Sequence, residues 1–474
     1  MANLSESGAV AIKLFRLSSS ANFSWPQGTP LDLQLIDRVK RVTLARRQEA
    51  PTGRNFLFLQ SMPMRFFERL GIALLRRGHG VHRVNFNGGD RLFWKLPNSV
   101  DFRGHEYEWP QFLDQLVTDR AITDIILFGD CRPLHRAAIR LAKARRLLTH
   151  VVEEGYIRPD WITFEPGGVN GYSSMPKDPD WYREHARDLP TWQPPPPVPS
   201  RFRRRAFEDV LYHVASMAAV LRFPYYRTHR PYHQLIEYAG WLRRLALMRR
   251  FERQAAAAIE SLTGDPVYLF PLQLDCDYQM RVHSPFRATH LAIDFVLRSF
   301  AQHAPPTARL VVKLHPLDSG LVDWAGMVGH IAAEQLVAER VTVLDGGELP
   351  KLLERSHAVV TVNSTVGSQA LAKHLPVIAL GQAMYDIPGL TYQGSLDHFW
   401  TDAKPPDPEL FDVLRRVLAA RCMIPGSFFN ETGLRLAVEA AVTRLEAVQV
   451  RPAPQPAEQP LAVPAGPIAT IAAQ

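Results

Sequence analysis

Two adjacent carboxylates and a glycine, Glu153, Glu154 and Gly155, close the apolar string HVV at 150–152. Neighbouring carboxylates raise one another's pKa, which suits one of them to act as a base, and the glycine permits a sharp turn that aims a side chain into a cleft. A solvated acidic turn is the plain alternative, but EEGYIRPDWITFE is dense in aromatic and arginine residues for a solvent loop. Lys313 and His315 end the string LVVKLHP, where Pro316 stops a strand and leaves both polar side chains at its exit. Such a pair can neutralise charge on a departing phosphate, with His315 as a tunable donor; the competing reading is a buried histidine bonded to backbone. Asn363, Ser364 and Thr365 sit between VVTV and the helical VGSQALAKH, placing hydroxyls and backbone N–H groups at a helix start, which is either a phosphate site or ordinary N-capping.

Further polar groups follow other strand-like strings. Asp130 and Arg132 come after DIILFG, and Asn87 and Asp90 after VHRVNF; both suit sugar hydroxyls or an acceptor phosphate, and a structural turn is as good a reading of each. Asp275 and Asp277 form an Asp-x-Asp triplet with no further carboxylate cluster, so no metal is expected, and Gln273 and Asp275 are read as lining a cleft. Glu348 is the acidic residue left to meet ribose hydroxyls.

These groups need parallel strands to position them, because ligands bind beyond the carboxyl ends of open parallel sheets. The chain alternates accordingly. FLFLQ (56–60) leads into the amphipathic 64–79, then VHRVNF (81–86), DIILFGD (124–130) and HVVEEG (150–155). TWQPPPPVPS (191–200) interrupts the pattern, and a basic helical stretch follows over 201–262. The alternation resumes with PVYLFPLQ, ARLVVKLHP, VTVLDG, AVVTVNST and PVIALG, and ends in an amphipathic helix near 430–447. The expected fold is α/β of the GT-B glycosyltransferase type: two Rossmann-like lobes facing a cleft, with a helical segment between them. The first lobe spans 51–200 and takes the acceptor, the second spans 263–425 and takes the nucleotide-sugar, and a C-terminal helix covers 426–450. Residues 1–50 and the Pro/Ala-rich 451–474 are expected to be mostly disordered.

Composition narrows the partners. With 46% hydrophobic and 22% charged residues among 474, the chain is neither wholly disordered nor a disulfide scaffold. A formal charge of +8 favours an anionic partner. Three scattered cysteines offer no disulfide framework and fit a reducing compartment, and no run of about 18 apolar residues is present to cross a bilayer. In RFRRRAF, RFPYYRTHRPYH and WLRRLALMRRF arginines interleave with aromatics, which suits anionic lipid heads; single-stranded nucleic acid is the rival partner and a solvated helix face the plain reading.

FLFLQ, FFERLGIALLRRGHGVHRVNFNGGD, LFGDCRPLHRAA, VVEEGYIRPDWITFEPGGVNGYS, VKLHP and VNSTVGSQALAKHLPVIALG together resemble the capsule polysaccharide biosynthesis/export family, in its KpsS-type β-Kdo glycosyltransferase branch, over residues 54 to 400. The resemblance implies transfer of Kdo from CMP-Kdo to a (lyso)phosphatidylglycerol acceptor, starting the poly-Kdo linker of a Gram-negative capsular polysaccharide. Glu154 as the acidic base, His315 with Pro316, and Ser364 with Thr365 as a phosphate site match the family's positions, which implies Glu154 and His315 as catalytic residues. Joined to the reading of the strand exits above, this gives Lys313, Pro316, Asn363, Ser364, Thr365, Gln273 and Glu348 as the residues expected to hold the donor, and Asn87, Asp90, Asp130, Arg132 and Glu153 as those expected to line the acceptor side. Relatives often carry Asp-Gly where this chain has Glu154-Gly155. No cofactor or metal is implied beyond CMP-Kdo as substrate. The expected partners are that donor, the lipid acceptor, the inner-membrane surface and other capsule assembly proteins, but no nucleic acid, and the expected location is peripheral on the cytoplasmic face of the inner membrane. A non-catalytic export or assembly protein that binds lipid or polysaccharide is the alternative, and a UDP-sugar epimerase or transferase on the same fold is a weaker third.

Overall fold

The computed structural model describes residues 53–199, 202–228, 230 and 232–448, so the expected extensions 1–50 and 451–474 lie outside the described residues. Short, nearly continuous apolar strings build the strands, as sheets covered on both faces require. The first lobe holds β1 (Asn55–Phe58), β2 (Gly80–Asn85), β3 (Ser99–Asp101), β4 (Asp124–Phe128), β5 (Leu148–Glu154) and β6 (Trp161–Pro166); the second holds β7 (Val267–Pro271), β8 (Arg309–Lys313), β9 (Val341–Leu344), β10 (Ala358–Thr361) and β11 (Val377–Ala379). A last strand, β12 (Met423–Pro425), follows the second lobe. The first sheet has the order β12-β6-β5-β4-β1-β2-β3 and the second β11-β10-β7-β8-β9. All neighbours in the second sheet and β1 to β5 in the first are parallel, so their carboxyl ends share one edge. The two-lobed α/β architecture expected from the alternation is therefore the observed one.

Two features were not visible in the alternation. β6 runs antiparallel to β5 and to β12, so the chain returns to the first sheet after completing the second. The helix Glu431–Ala447 then packs Leu434, Ala437, Ala441 and Leu445 against Phe56, Phe66, Leu70 and Leu74 of the first lobe.

The basic segment folds as two helices, Phe202–Ala218 and Gln234–Ser261. The first docks on the short helix Gly88–Leu92 at backbone distance. A Cβ on Gly88 would lie 2.1 Å from the Ala215 carbonyl oxygen, and one on Gly89 would lie 2.5 Å from the Tyr212 ring, so only glycine fits at either position. Beneath this contact Asp90, wholly buried, pairs with Arg83 at 3.0 Å and accepts hydrogen bonds from the Phe86 N–H (3.0 Å) and the Tyr212 hydroxyl (3.1 Å). Asn87 caps the helix by accepting the Asp90 N–H at 2.9 Å and donates to the Tyr212 hydroxyl at 2.8 Å. The expectation that Asp90 serves an acceptor is corrected here: its oxygens are spent on an internal network that fixes helix 202–218.

Removing Asp90 strands the buried Arg83 guanidinium, which for a buried ion pair costs about 3–5 kcal/mol. Asp90→Ala should lose that much stability in urea titration, with helix 202–218 becoming protease-sensitive. A loss below about 1 kcal/mol would return Asp90 to the solvent-facing role.

Candidate active site

The carboxyl ends of the two sheets meet across a cleft. Cys131, after β4, lies with its Sγ 3.2 Å from the His283 Nε2 of the second lobe, and the Ser368 hydroxyl reaches the Tyr156 carbonyl at 3.4 Å. Glu153 and Glu154 end β5 on this seam. Gly155 is required there by close approach, since a Cβ would fall 2.3 Å from the Trp161 carbonyl oxygen.

The two carboxylates differ sharply. Burial pushes Glu154 up, but Arg158 at 2.7 Å and Arg205 at 3.0 Å outweigh it and hold the carboxyl below the usual range. Among the described residues no cation pairs with Glu153. Burial, with the charges of Glu154, Asp277 and Asp130, pushes it up to about 8, although its Oε1 accepts the Glu154 N–H at 3.1 Å. At neutral pH Glu154 is an anion and Glu153 keeps its proton. A pair of titratable groups driven apart in this way is how sites assign acid and base roles.

Across the cleft His315 is half-buried, and its Nδ1 accepts the Leu317 N–H at 3.0 Å, which places the proton on Nε2. Burial and the charge of Arg158 push it down to about 4, so it is a neutral donor through Nε2–H. Pro316 beside it is exposed. Arg158 lowers the His315 pKa and Glu154 raises it, so both charges act on His315.

Other expected donor groups are already engaged. Lys313 is buried and gives its ammonium protons to the carbonyls of Gly346 and Gly347 (3.1 Å to the latter), and burial pushes its pKa down. Both glycines have positive φ, +107° and +80°, so Lys313 staples a turn only glycines adopt readily. Asn363 and Gln273 satisfy each other, with the Gln273 amide donating to the Asn363 side chain at 2.7 Å and accepting its backbone N–H at 3.0 Å. The Asn363 amide also donates to the carbonyls of Gln279 (2.9 Å) and His283 (3.1 Å). Lys313 and Asn363 thus hold the loops in place, correcting the expectation that they face a phosphate, and Gln273, expected to line the cleft, is buried against Asn363. Ser364 caps the seven-residue helix Thr365–Leu371 by accepting the Val366 N–H at 3.2 Å, the plain reading of that motif, while the half-buried Thr365 hydroxyl makes no hydrogen bond among the described residues. Glu348 is exposed and pairs with Lys351 at 3.1 Å.

In the first lobe Asp130 accepts the Val169 N–H at 2.8 Å and the Cys131 thiol at 3.3 Å. Asp130, Cys131 and His283 bring one ligand atom each within 4.8 Å of one another, the one such three-residue group among the described residues that is able to hold a metal. Burial and the charge of Asp130 push the Cys131 thiol up, so it stands as a protonated donor in an inter-lobe hydrogen-bond cluster. Asp275 and Asp277 accept the backbone N–H groups of Thr289 (2.8 Å) and Gln279 (2.9 Å). Arg132 is half-buried, with a 3.4 Å bond to the Ser61 carbonyl.

Sequence reasoning missed two cations of the centre. Arg158 was signalled by its i+4 spacing from Glu154, and Arg205 by nothing local. Arg244 also has a structural place: it pairs with Asp345 and donates to the His315 carbonyl at 3.2 Å. Read from the sequence as part of a lipid-facing basic stretch, Arg205 and Arg244 are instead engaged at the site, by Glu154 and by Asp345 with the His315 carbonyl.

Two outcomes follow from the split pair. A carboxyl whose folded pKa is raised loses stabilisation as pH climbs from its unfolded value through its folded one. Glu153→Gln should therefore stabilise the protein above pH 8 relative to wild type, by at least ~1.4 kcal/mol, the worth of one pKa unit, with the gain fading below about pH 4.5; thermal melts across pH would show it. Removing one of the cations that depress Glu154 raises its pKa, so Arg205→Ala should move the acid limb of the activity profile to higher pH.

Comparison with known proteins gives the following. The family model described as capsule polysaccharide biosynthesis protein matches residues 123–429. The Escherichia coli capsule polysaccharide export protein KpsS is 35% identical over 381 residues, covering 80% of this chain and 97% of the relative. The capsule polysaccharide modification protein LipB of Neisseria meningitidis serogroup A is 33% identical over 390 residues, covering 80% and 93%. Among solved structures, the β-Kdo 2,7 transferase of Thermosulfurimonas dismutans KpsC aligns with 83% of this chain and 99% of its own at 14% identity and a TM-score of 0.41.

Proposed function

Since the chain belongs to the capsule polysaccharide biosynthesis family, we propose that it is a glycosyltransferase that moves Kdo from CMP-Kdo to a (lyso)phosphatidylglycerol acceptor. The observation that carries this reading is the ionised Glu154, flanked by a protonated Glu153 and opposed by the neutral Nε2–H donor of His315. In the reaction the bond between the sugar's anomeric carbon and the CMP phosphate oxygen breaks, and a new bond forms to the acceptor hydroxyl oxygen. CMP leaves as a phosphate monoester, so stabilising charge matters more than a strong acid. His315 Nε2–H supplies a hydrogen bond to that phosphate, and the Thr365 hydroxyl is free to supply a second. Glu154 is the anion available to take the acceptor proton or to attack the anomeric carbon, and either role needs it ionised.

A lipid acceptor requires a membrane surface, and the helical segment offers one. No helix among the described residues is long and apolar enough to cross a bilayer. Phe207, Val210 and Val214 are exposed at helical spacing on Phe202–Ala218, as are Leu235, Leu242 and Leu245 on Gln234–Ser261, with Arg203, Arg243, Arg249 and Arg250 also exposed. Apolar side chains among arginines favour an anionic interface.

Incubation with CMP-Kdo and a fluorescent phosphatidylglycerol should yield a product heavier by one Kdo residue. His315→Ala should slow transfer by ~10²–10³, the typical worth of such a donor, and Glu154→Gln should abolish it with CMP binding retained. Near wild-type turnover in either folded variant removes that residue from the reaction. On anionic vesicles, replacing Arg203, Arg243, Arg249 and Arg250 with Gln should abolish flotation, at ~1 kcal/mol per charge; unchanged flotation makes the segment a solvated linker.

A further inference from the structure

Between the exits of β1, β2 and β4 and the helix Phe202–Ala218 lies a cavity of about 160 Å³ that the donor-side groups do not enter. Its charged lining is mostly neutralised internally. Arg205 pairs with Glu154, and Arg230 pairs with Asp209 at 3.0 Å and Glu237 at 2.7 Å. Arg132 is the exception: among the described residues no carboxylate lies within ion-pair distance of it, and its guanidinium reaches only the Ser61 carbonyl, at 3.4 Å. A half-buried guanidinium facing a cavity with no counter-ion calls for an anion, and its planar donors match phosphate oxygens.

The remaining walls suit a polyol. The buried amides of Gln60 and Asn87 line the cavity beside the hydroxyls of Ser61, Thr228 and Tyr226, and Gln60 donates to Tyr226 at 2.9 Å and to Tyr212 at 3.1 Å. Gln234 is part of the lining, and the next residues in the chain, Leu235 and Ile236, are 60% and 52% exposed. The lining thus adjoins exposed apolar residues through Gln234, and its Arg205 contacts Glu154.

We propose that this cavity seats the phosphoglycerol head group of the lipid acceptor, with Arg132 as counter-ion to its phosphate and Arg205 as the joint between the head group and the Glu154 carboxylate. The inference rests on the reading of the chain as a transferase with a lipid acceptor, and it names where that acceptor is recognised. Arg132 touches the acceptor phosphate. Arg205 acts through Glu154 and is a positioning residue. The acceptor hydroxyl projects past Arg205 towards Glu154, and the acyl chains leave by the Leu235 and Ile236 rim.

The test is calorimetric binding of glycerophosphoglycerol and of dihexanoyl phosphatidylglycerol to the full chain, with inorganic phosphate, CMP and dihexanoyl phosphatidylcholine as comparisons. Both phosphoglycerol ligands should bind, inorganic phosphate should bind at least tenfold more weakly, and the choline lipid should not compete. Arg132→Gln should weaken phosphoglycerol binding ~10–100-fold, as expected for a lost charged hydrogen bond, with CMP binding unchanged. In the transfer assay it should raise the acceptor KM while leaving kcat within a few-fold. Thr228→Trp, which fills the cavity from an exposed position, should do the same, so the outcome does not depend on how one variant folds. Unchanged phosphoglycerol binding in both variants overturns the cavity assignment even if transfer proceeds. Phosphoglycerol bound through Arg132 without any transfer from CMP-Kdo would sustain the cavity and overturn the donor reading. Equal affinity for inorganic phosphate would mean a general anion site and also overturn the proposal.

Discussion

A carboxylate at the end of a buried strand stays ionised only if cations compensate the lost water, and Glu154 has two, from different parts of the chain. Arg158 comes from the same turn, but Arg205 belongs to a helix that docks from outside the first sheet. The charge on the central group therefore depends on where helix 202–218 sits. That position depends in turn on Gly88 and Gly89, which admit Ala215 and Tyr212 at backbone distance, and on the buried Arg83–Asp90 pair beneath them. Glu153, one residue away and paired with no cation among the described residues, takes the opposite protonation state.

The second helix of the segment plays the matching part for the other lobe. Arg244 ties Asp345 to the backbone at His315, Glu252 accepts the Gly347 N–H at 2.8 Å, and Lys313 closes the same glycine turn from beneath. His315 is presented to the cleft by a loop that helix 234–261 holds. The segment between the lobes is thus a frame for both halves of the site as well as a surface, and its exposed arginines are separable from the engaged ones.

Much of this was legible in the chain. Runs such as DIILF and RLVVK are too apolar for a half-solvated sheet and end in polar residues or glycine, so parallel strands and their exits could be placed. Glu154-Gly155 and His315-Pro316 were legible because a tight turn and a strand stop are local properties. What was not legible is what each polar group meets. Lys313 spends its protons on carbonyls of a loop thirty-odd residues away, and the Asn363 side chain accepts from Gln273, ninety residues distant. Local spacing carries no trace of such pairings. Arg205 misled for the same reason, since a cation in a basic helix reads as surface until the fold brings a carboxylate to it. The antiparallel β6 hid because WITFEP is short and mixed, and β12 because it pairs with a strand far upstream.

The central claim is that the adjacent carboxyls hold different protonation states at neutral pH. Infrared difference spectroscopy of the folded protein at pH 7 in heavy water tests this most directly, comparing wild type with Glu153→Gln and Glu154→Gln. The account predicts a protonated carboxyl stretch in wild type that titrates near pH 8, vanishes in Glu153→Gln and persists in Glu154→Gln. A band that instead survives in Glu153→Gln and vanishes in Glu154→Gln would show that the proton sits on the wrong partner and contradict the account.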